Sequence, residues 1–186
     1  MAFETIIGRV GLAAVFAGAG MEGETAVIAG GILAHQHILS IPGVAVSAAL
    51  GSFAADQAFF VLGRHFRDHP RVQSLLDKPA AENALDTLER HPTAFILGFR
   101  FLYGLRTVSP VAVGTSEIRQ TRFLALNALA AVIWSILFTA IGFFIGGPLG
   151  RYFHSPKSIV PVLVGALLVF GVGTFLVRVA WRTLRR

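Results

Sequence analysis

The chain has 186 residues, of which 54% are hydrophobic and 14% charged, and its mean hydropathy is +0.69. So few charges cannot solvate a globular surface of this size, which excludes a soluble domain and indicates a protein of the lipid bilayer. The formal net charge of +6 does not indicate a nucleic-acid partner, because Lys and Arg fall at the ends of apolar spans and not on one basic stripe.

The first apolar stretch, residues 5–37, is long enough to cross a membrane but is broken near its middle. The break contains glycines and acids, namely Gly18, Gly20, Glu22, Gly23 and Glu24. Each half is then expected to be too short to cross alone, and a broken segment is tolerated at membrane depth only where its backbone is buried or lines a polar cavity. We therefore predict a re-entrant helical hairpin whose second limb starts at Glu24.

A spanning helix is predicted over residues 41–63, where Asp56 and Gln57 interrupt the apolar run near its end. Residues 64–91 are of mixed charge, and we predict that they form a cytoplasmic connector. One segment of this connector has the pattern of a short interfacial helix, with Leu85 and Leu88 facing lipid or protein.

A second hairpin is predicted over residues 93–116, because Arg100, Gly104, Arg106 and Pro110 break an otherwise apolar run. Each half of this run is again short. The two hairpins therefore resemble one another in pattern, and each is followed by a predicted spanning helix.

The last two predicted spans are residues 123–147, which carry no charge, and residues 158–180, in which the first charge is Arg178. A loop is predicted between them. Its markers in the sequence are Pro148, Gly150 and Pro156.

The placement of Lys and Arg predicts the orientation. With the connector, residues 117–122 and the C-terminus in the cytoplasm, eleven of these cations lie inside and three outside. The first hairpin then enters from outside and the second from the cytoplasm. The predicted fold is an all-α integral membrane protein with two opposed re-entrant helical hairpins plus three spanning helices, in an inverted-repeat architecture that forms a single domain over residues 1–186.

Arg100 and Arg106 are the first candidate site residues. A cation in the bilayer core costs about 2.5–3.5 kcal/mol on insertion scales, so it is retained where it meets a partner, a cavity or an anionic ligand. The planar guanidinium group matches the oxygens of a phosphate or carboxylate. We interpret the pair as an anion-binding site. The alternative is a structural role, in which they pair with buried acids or lie near the cytoplasmic interface.

Glu24, Asp56 and, with weaker support, Glu22 are the candidate acidic partners, and we assign them to proton coupling. Burial favours the neutral form of a carboxylate and a nearby Arg favours the charged form, so such a group can exchange a proton as a ligand comes and goes. The alternatives are that Glu24 only begins a helix, and that Asp56 pairs with Arg64 or Arg67.

Nothing in the sequence calls for an enzyme, a cofactor or a metal site. Walker, Ser-x-x-Lys and nucleophile-elbow motifs are absent, cysteine is absent, and His35 and His37 have no third ligand at a useful spacing. Trp134 is interpreted as a packing residue. Three small residues are predicted to allow close helix contact: Gly142, Gly146 and Gly147.

Four sequence motifs run over nearly the whole chain. They are Gly23, Glu24 and Thr25 with Ala29, Gly30 and Gly31; Gly51, Ser52 and Asp56 with Gly63 and Arg64; Phe99, Arg100, Tyr103 and Arg106 with Ser109; and Arg122 and Asn127 with Trp134. Together they resemble the DedA family, also called the SNARE-associated or VTT-domain family. The arginine motif is the most specific, and its structural positions are Gly104, Pro110 and Gly114.

This resemblance implies two opposed re-entrant hairpins and lipid translocation as the activity. Similar bacterial proteins return undecaprenyl phosphate to the cytoplasmic leaflet, or are linked to phospholipid flipping and the proton-motive force. By motif position, the resemblance makes Glu24 and Asp56 the acidic pair and Arg100 and Arg106 the arginine pair.

The leading hypothesis is a lipid-phosphate translocase, or flippase, of the bacterial cytoplasmic membrane, with a cytoplasmic C-terminus. It would move undecaprenyl phosphate or a related phospholipid with proton coupling, so its partners are a membrane lipid and protons, with no nucleic acid and with a homo-oligomer left open. The alternatives are a passive phospholipid scramblase and a structural membrane-assembly protein that uses the charges as buried pairs.

Overall fold

A computed structural model describes residues 2–21, 23–76, 79–101, 106 and 108–152. Every regular element in this part of the chain is helical. The helices are α1 (Ala2–Met21), α2 (Glu24–His35), α3 (Ile41–His65), α4 (Pro70–Leu76), α5 (Pro79–Arg90), α6 (Pro92–Gly98), α7 (Val108–Thr115) and α8 (Gln120–Tyr152), with a 3-10 turn at Phe99–Phe101 after α6. The predicted span 158–180 and the site candidates Glu22 and Gly104 lie outside the described residues.

The first hairpin consists of α1 and α2, which pack against each other. The Gly23 N–H donates to the Gly18 carbonyl at 3.0 Å, a bond that spans the end of α1. The second limb begins at Glu24, as predicted. The apolar part of α1 is Gly8–Met21 and α2 has 12 residues, so neither limb is among the helices of the described chain that are long and apolar enough to cross a membrane, which agrees with the prediction.

Helix α3 covers the predicted span 41–63 and continues to His65. It begins at a capping serine, because the Ser40 hydroxyl accepts a hydrogen bond from the Gly43 N–H at 3.2 Å. By length and composition, α3 and residues 120–148 of α8 could each cross a membrane, with mean hydropathies of 1.5 and 2.4.

Helix α8 extends beyond its predicted end. It runs from Gln120 to Tyr152, so the prediction of a loop at Pro148 and Gly150 is wrong. A proline inside a helix removes one hydrogen bond but keeps a helical φ angle, and long apolar helices tolerate this loss.

The connector folds into α4 and α5. On α5, Leu88 is 2% exposed and packs in a cluster with Phe95, Phe99 and Phe123. The sequence predicts that Leu88 faces either lipid or protein, and in the structure it faces protein. Helix α5 therefore supports the second hairpin.

The second hairpin consists of α6, the 3-10 turn and α7. Helices α6 and α7 have seven and eight residues, or about 10 and 12 Å, so neither could cross a bilayer alone. The residues between the turn and Arg106 lie outside the described part of the chain.

The two hairpins exchange partners. The first limb of each hairpin packs on the long helix that follows it, α1 on α3 and α6 on α8, whereas the second limb packs on the long helix of the other half, α2 on α8 and α7 on α3. Helices α3 and α8 also touch. The first half of the chain (α1 to α3) and the second half (α6 to α8) are therefore joined by the packing of each second limb on the other half's long helix.

Glycines fix the exchanged contacts at backbone distance. A Cβ on Gly31 of α2 would overlap the Thr139 carbonyl of α8, and one on Gly142 would overlap the carbonyl of Ile28. This contact agrees with the prediction that small residues on this helix allow close packing. A second contact of the same kind joins α7 and α3, where Gly114 meets the carbonyl of Phe60 and Gly63 meets that of Val111.

These two contacts have the same register. Each α3 residue in the contact corresponds to an α8 residue 79 positions later, and each α2 residue corresponds to an α7 residue 83 positions later. The corresponding pairs are Phe60 and Thr139, Gly63 and Gly142, Ile28 and Val111, and Gly31 and Gly114. The two halves of the chain therefore repeat the same helix contact, although their sequences have diverged.

Candidate functional site

Arg100 lies at the centre of the molecule, where the 3-10 turn of the second hairpin meets α3 and α8. The residue is 2% exposed, and its side chain is fully buried. One guanidinium nitrogen donates to the Ser52 hydroxyl, and the other donates to the Asp56 carboxylate and, at 2.5 Å, to the Asn127 side-chain oxygen. Three acceptors from two helices thus surround one buried cation.

The geometry of α3 brings these acceptors together. Ser52 and Asp56 are four residues apart, so they lie one above the other on the same face of the helix. Asp56 pairs with Arg100, and the alternative pairing with Arg64 or Arg67 is wrong. Arg64 donates instead to carbonyl groups in the last turn of α7 and just after it, and Arg67 makes an exposed contact with its neighbour Asp68.

Arg106 lies in a different environment, between the breaks of the two hairpins. It is half-buried, and its Nη2 donates to the Ala19 carbonyl and, at 3.1 Å, to the Ser52 hydroxyl. Ala19 belongs to the last turn of α1, where carbonyl groups lack a helical donor, so the guanidinium caps this helix end. The guanidinium also lies 5.0 Å from the centre of the Trp134 ring.

Gly23 allows this approach. Its φ angle of 79° lies in the left-handed range that side chains disfavour, and a Cβ at this position would overlap Arg106 Nη1. Two independent requirements therefore select glycine here, one for the backbone angle and one for the space.

The centre has an excess of hydrogen-bond donors. Among the described residues, four buried N–H groups in this connected cluster have no acceptor: Arg100 Nε, Arg106 Nη1, Asn127 Nδ2 and Trp134 Nε1. A buried donor without an acceptor is costly, and none of these groups can act as an acceptor in its present form. The cluster is complementary to a ligand rich in acceptor oxygens, which is the chemistry of an anion.

Glu24 is the second acid at the centre. It is half-buried at the start of α2 and directly follows Gly23, the residue that Arg106 contacts. In the region that the structure describes, the Glu24 carboxylate makes no ion pair and no hydrogen bond. The centre therefore contains two arginines and two acids, and of these Arg100 and Asp56 form an ion pair.

Pro110 and Gly114 lie on α7. Pro110 is in its first turn, where a missing N–H leaves no helical hydrogen bond unmade, and Gly114 is the close contact with α3. These two positions of the arginine motif thus build the limb that follows Arg106.

Three site residues were not predicted as such, namely Ser52, Asn127 and Trp134. Ser52 could have been found from its position one turn before Asp56. Asn127 and Trp134 are seven residues apart, which places them on one face of α8. Trp134 is fully buried in the core, as predicted, but its ring also faces Arg106.

These features define a helical membrane protein with a buried charged centre between two broken segments. Residues 21–144, more than half of the chain, match the model of the VTT domain. The chain is 35% identical to the inner membrane protein YohD of Escherichia coli over 96% of its own length and 95% of that protein. It is 25% identical to the inner membrane protein YqjA of the same species over 87% of its own length and 76% of that protein. It is 24% identical to Escherichia coli protein DedA over 68% and 60% of the two chains. No solved structure matches significantly.

The chain therefore belongs to the DedA family of VTT-domain membrane proteins. The membrane location that its composition predicts agrees with the relatives, which are inner membrane proteins.

Proposed function

We propose that this protein is a lipid-phosphate translocase of the bacterial cytoplasmic membrane and that Arg106 binds the phosphate head group. The observation that carries this proposal is the unpaired Nη1 of Arg106, a buried cationic donor at the junction of the two breaks. The lipid tail would remain in the bilayer while the head group reaches the centre. Undecaprenyl phosphate or a related phospholipid has this chemistry.

The two arginines have different roles in this proposal. Arg100 already has three acceptors, so a phosphate would have to compete with Asp56, Ser52 and Asn127 for it. Arg106 has one carbonyl, one shared hydroxyl and a free donor. We therefore assign phosphate binding to Arg106 and the positioning of α3 and α8 around the site to Arg100.

Glu24 would couple transport to protons. A phosphate at Arg106 would lie close to the Glu24 carboxylate, and two negative charges in a desolvated site repel each other strongly. Proton uptake by Glu24 would relieve this repulsion, and release of the phosphate would allow Glu24 to lose the proton again. In this arrangement the first hairpin opens to the outside and the second to the cytoplasm, with the C-terminus in the cytoplasm.

The proposal is tested with the purified chain in liposomes, with a polyprenyl phosphate and phosphatidic acid as separate probes. Arg106→Ala should lower the transport rate about tenfold or more, because a hydrogen bond to a charged group contributes about 1.5–3 kcal/mol. Arg9→Ala, at an exposed position on α1, is the matched control. A normal rate for both probes in Arg106→Ala, at equal protein amounts, would exclude the proposal.

A pH gradient separates a coupled transporter from a passive scramblase. Coupling predicts that the gradient biases net lipid movement in the wild-type protein. Equal movement in both directions under a gradient would favour the scramblase and remove the role proposed for Glu24.

A further inference from the structure

Arg64 holds the end of the second hairpin. Its Nε donates to the Gly114 carbonyl at 2.6 Å, and its Nη2 donates to the carbonyls of Ser116 at 2.9 Å and Ile118 at 2.7 Å. Helix α7 ends at Thr115, where carbonyl groups lack helical donors, so one guanidinium satisfies three acceptors around this end. The guanidinium also lies 5.0 Å from the ring centre of Phe60.

Helix α7 connects this end to Arg106, where we propose that the phosphate binds; we call the surroundings of Arg106 the anion site. Arg106 precedes the first residue of α7 by two positions, and the helix is only eight residues long. Its contact with α3 leaves no space for a Cβ at Gly63 or Gly114. A rigid helix of about 12 Å that is fixed at one end determines where its other end lies. The hold of Arg64 therefore sets the position of Arg106.

The internal repeat provides a comparison within the same molecule. The position that corresponds to Arg64 in the first hairpin's contact is Phe143, and the one that corresponds to Ile118 is His35. Phe143 and His35 meet edge to face, with ring centres 4.8 Å apart. The nearest polar contact at this end is a 3.5 Å hydrogen bond from the Gln36 side chain to the Gly146 carbonyl. Among the side chains that the structure describes, no cation holds the end of α2 as Arg64 holds the end of α7.

We propose that Arg64 is a positioning residue for the anion site, which clamps the second hairpin to α3 and keeps Arg106 in place. The first hairpin has no such cation among its described contacts, and we assign to it the movement against α8 that opens the site. The transport part of this inference rests on the proposed function, whereas the clamp itself does not.

The clamp is tested by amide hydrogen exchange on the full-length protein in lipid nanodiscs. Arg64→Gln should raise exchange in residues 111–118 by about tenfold or more, since a locally opened state becomes more populated. Arg64→Lys should give an intermediate increase, because one ammonium cannot reach three carbonyls in the same geometry. Phe143→Leu, at the corresponding position, should leave residues 111–118 unchanged. Unchanged exchange in Arg64→Gln would overturn the clamp.

Binding and transport in the same variants test the positioning role. In liposomes, Arg64→Gln should raise the KM for the polyprenyl phosphate about tenfold while the maximal rate falls less, because the binding donor is misplaced but not removed. If Arg64→Gln destabilises the protein but leaves the KM unchanged, Arg64 has a purely structural role. If the wild-type protein moves no lipid phosphate, the proposed function fails, and hydrogen exchange still decides the clamp.

The absence of cysteine from the sequence allows a crosslinking test of which hairpin moves. A Cβ on Gly147 would lie 3.4 Å from the His35 ring, so a short bifunctional thiol reagent can join His35→Cys on α2 to Gly147→Cys on α8. Arg64→Cys with Ser116→Cys, joined by a short bifunctional thiol reagent, replaces the clamp covalently. The first crosslink should stop transport, and the second should restore the low KM that the unlinked pair loses. If the crosslink between Arg64→Cys and Ser116→Cys also stops transport, the first hairpin is not the only element that has to move, and our assignment is wrong.

Discussion

Replacing Gly23 with alanine tests the central contact between the two hairpins. The added methyl group has two consequences. A non-glycine residue at a φ of 79° costs about 1–2 kcal/mol, and the Cβ must displace the Arg106 guanidinium. Displacement removes at least one hydrogen bond to a charged group, which contributes about 1.5–3 kcal/mol. We therefore expect Gly23→Ala to lower the free energy of unfolding by about 2.5–5 kcal/mol.

The assay is a double-mutant cycle with Arg106→Ala, measured by denaturant unfolding in detergent micelles. Once the arginine side chain is gone, Gly23→Ala should cost only the backbone strain of about 1–2 kcal/mol, so the two changes should be strongly non-additive. Gly8→Ala is the control, because a Cβ at Gly8 meets nothing within 4 Å. If Gly23→Ala costs the same with and without the Arg106 side chain, the proposed contact does not limit this position.

Three further predictions concern the charges and the close packing. Arg100→Ala should destabilise the protein by about 3–5 kcal/mol in the same unfolding assay, because it leaves the buried Asp56 carboxylate unpaired, and adding Asp56→Ala should recover part of this loss. Gly142→Val should cost about 1–3 kcal/mol or more by forcing α2 away from α8, whereas Phe144→Leu, at a site 74% exposed, should change stability by less than about 0.5 kcal/mol. Glu24→Gln should tighten the binding of a polyprenyl phosphate at neutral pH and abolish the bias that a pH gradient imposes on transport, and a retained bias would exclude this acid as the coupling group.

The sequence was most informative where charge is expensive. Each charged residue inside an apolar run requires a partner or a ligand, which is why Arg100, Arg106, Glu24 and Asp56 could be selected from residue type and position alone. The breaks at Gly23 and around Arg106 could be located for a similar reason, since glycine and charge do not continue an apolar helix. These signals are local and do not depend on how the helices pack.

The pairing of these charges could not be predicted, because it depends on tertiary packing. Asp56 is eight residues from Arg64 on one helix, and this proximity in sequence suggested an ion pair. The actual partner, Arg100, is 44 residues away. Asn127 is uncharged, and an amide in a long apolar helix carries no energetic signal comparable with that of a buried arginine. The end of α8 was misplaced because Pro148 signals a turn in a soluble protein but is accommodated in a long apolar helix.

The repeat gives a reason for the difference between the two halves at the site itself. Gly23 and Arg106 are 83 residues apart, so they occupy corresponding positions in the two hairpins, and they are also in direct contact. Residues that correspond and touch lie near the axis that relates the halves. Two glycines there would leave the centre without a charge, and two arginines would compete for one space and repel each other. A site at this position needs one small residue that gives room and one cation that uses it, so the halves had to diverge there while the packing glycines of the long helices kept their register.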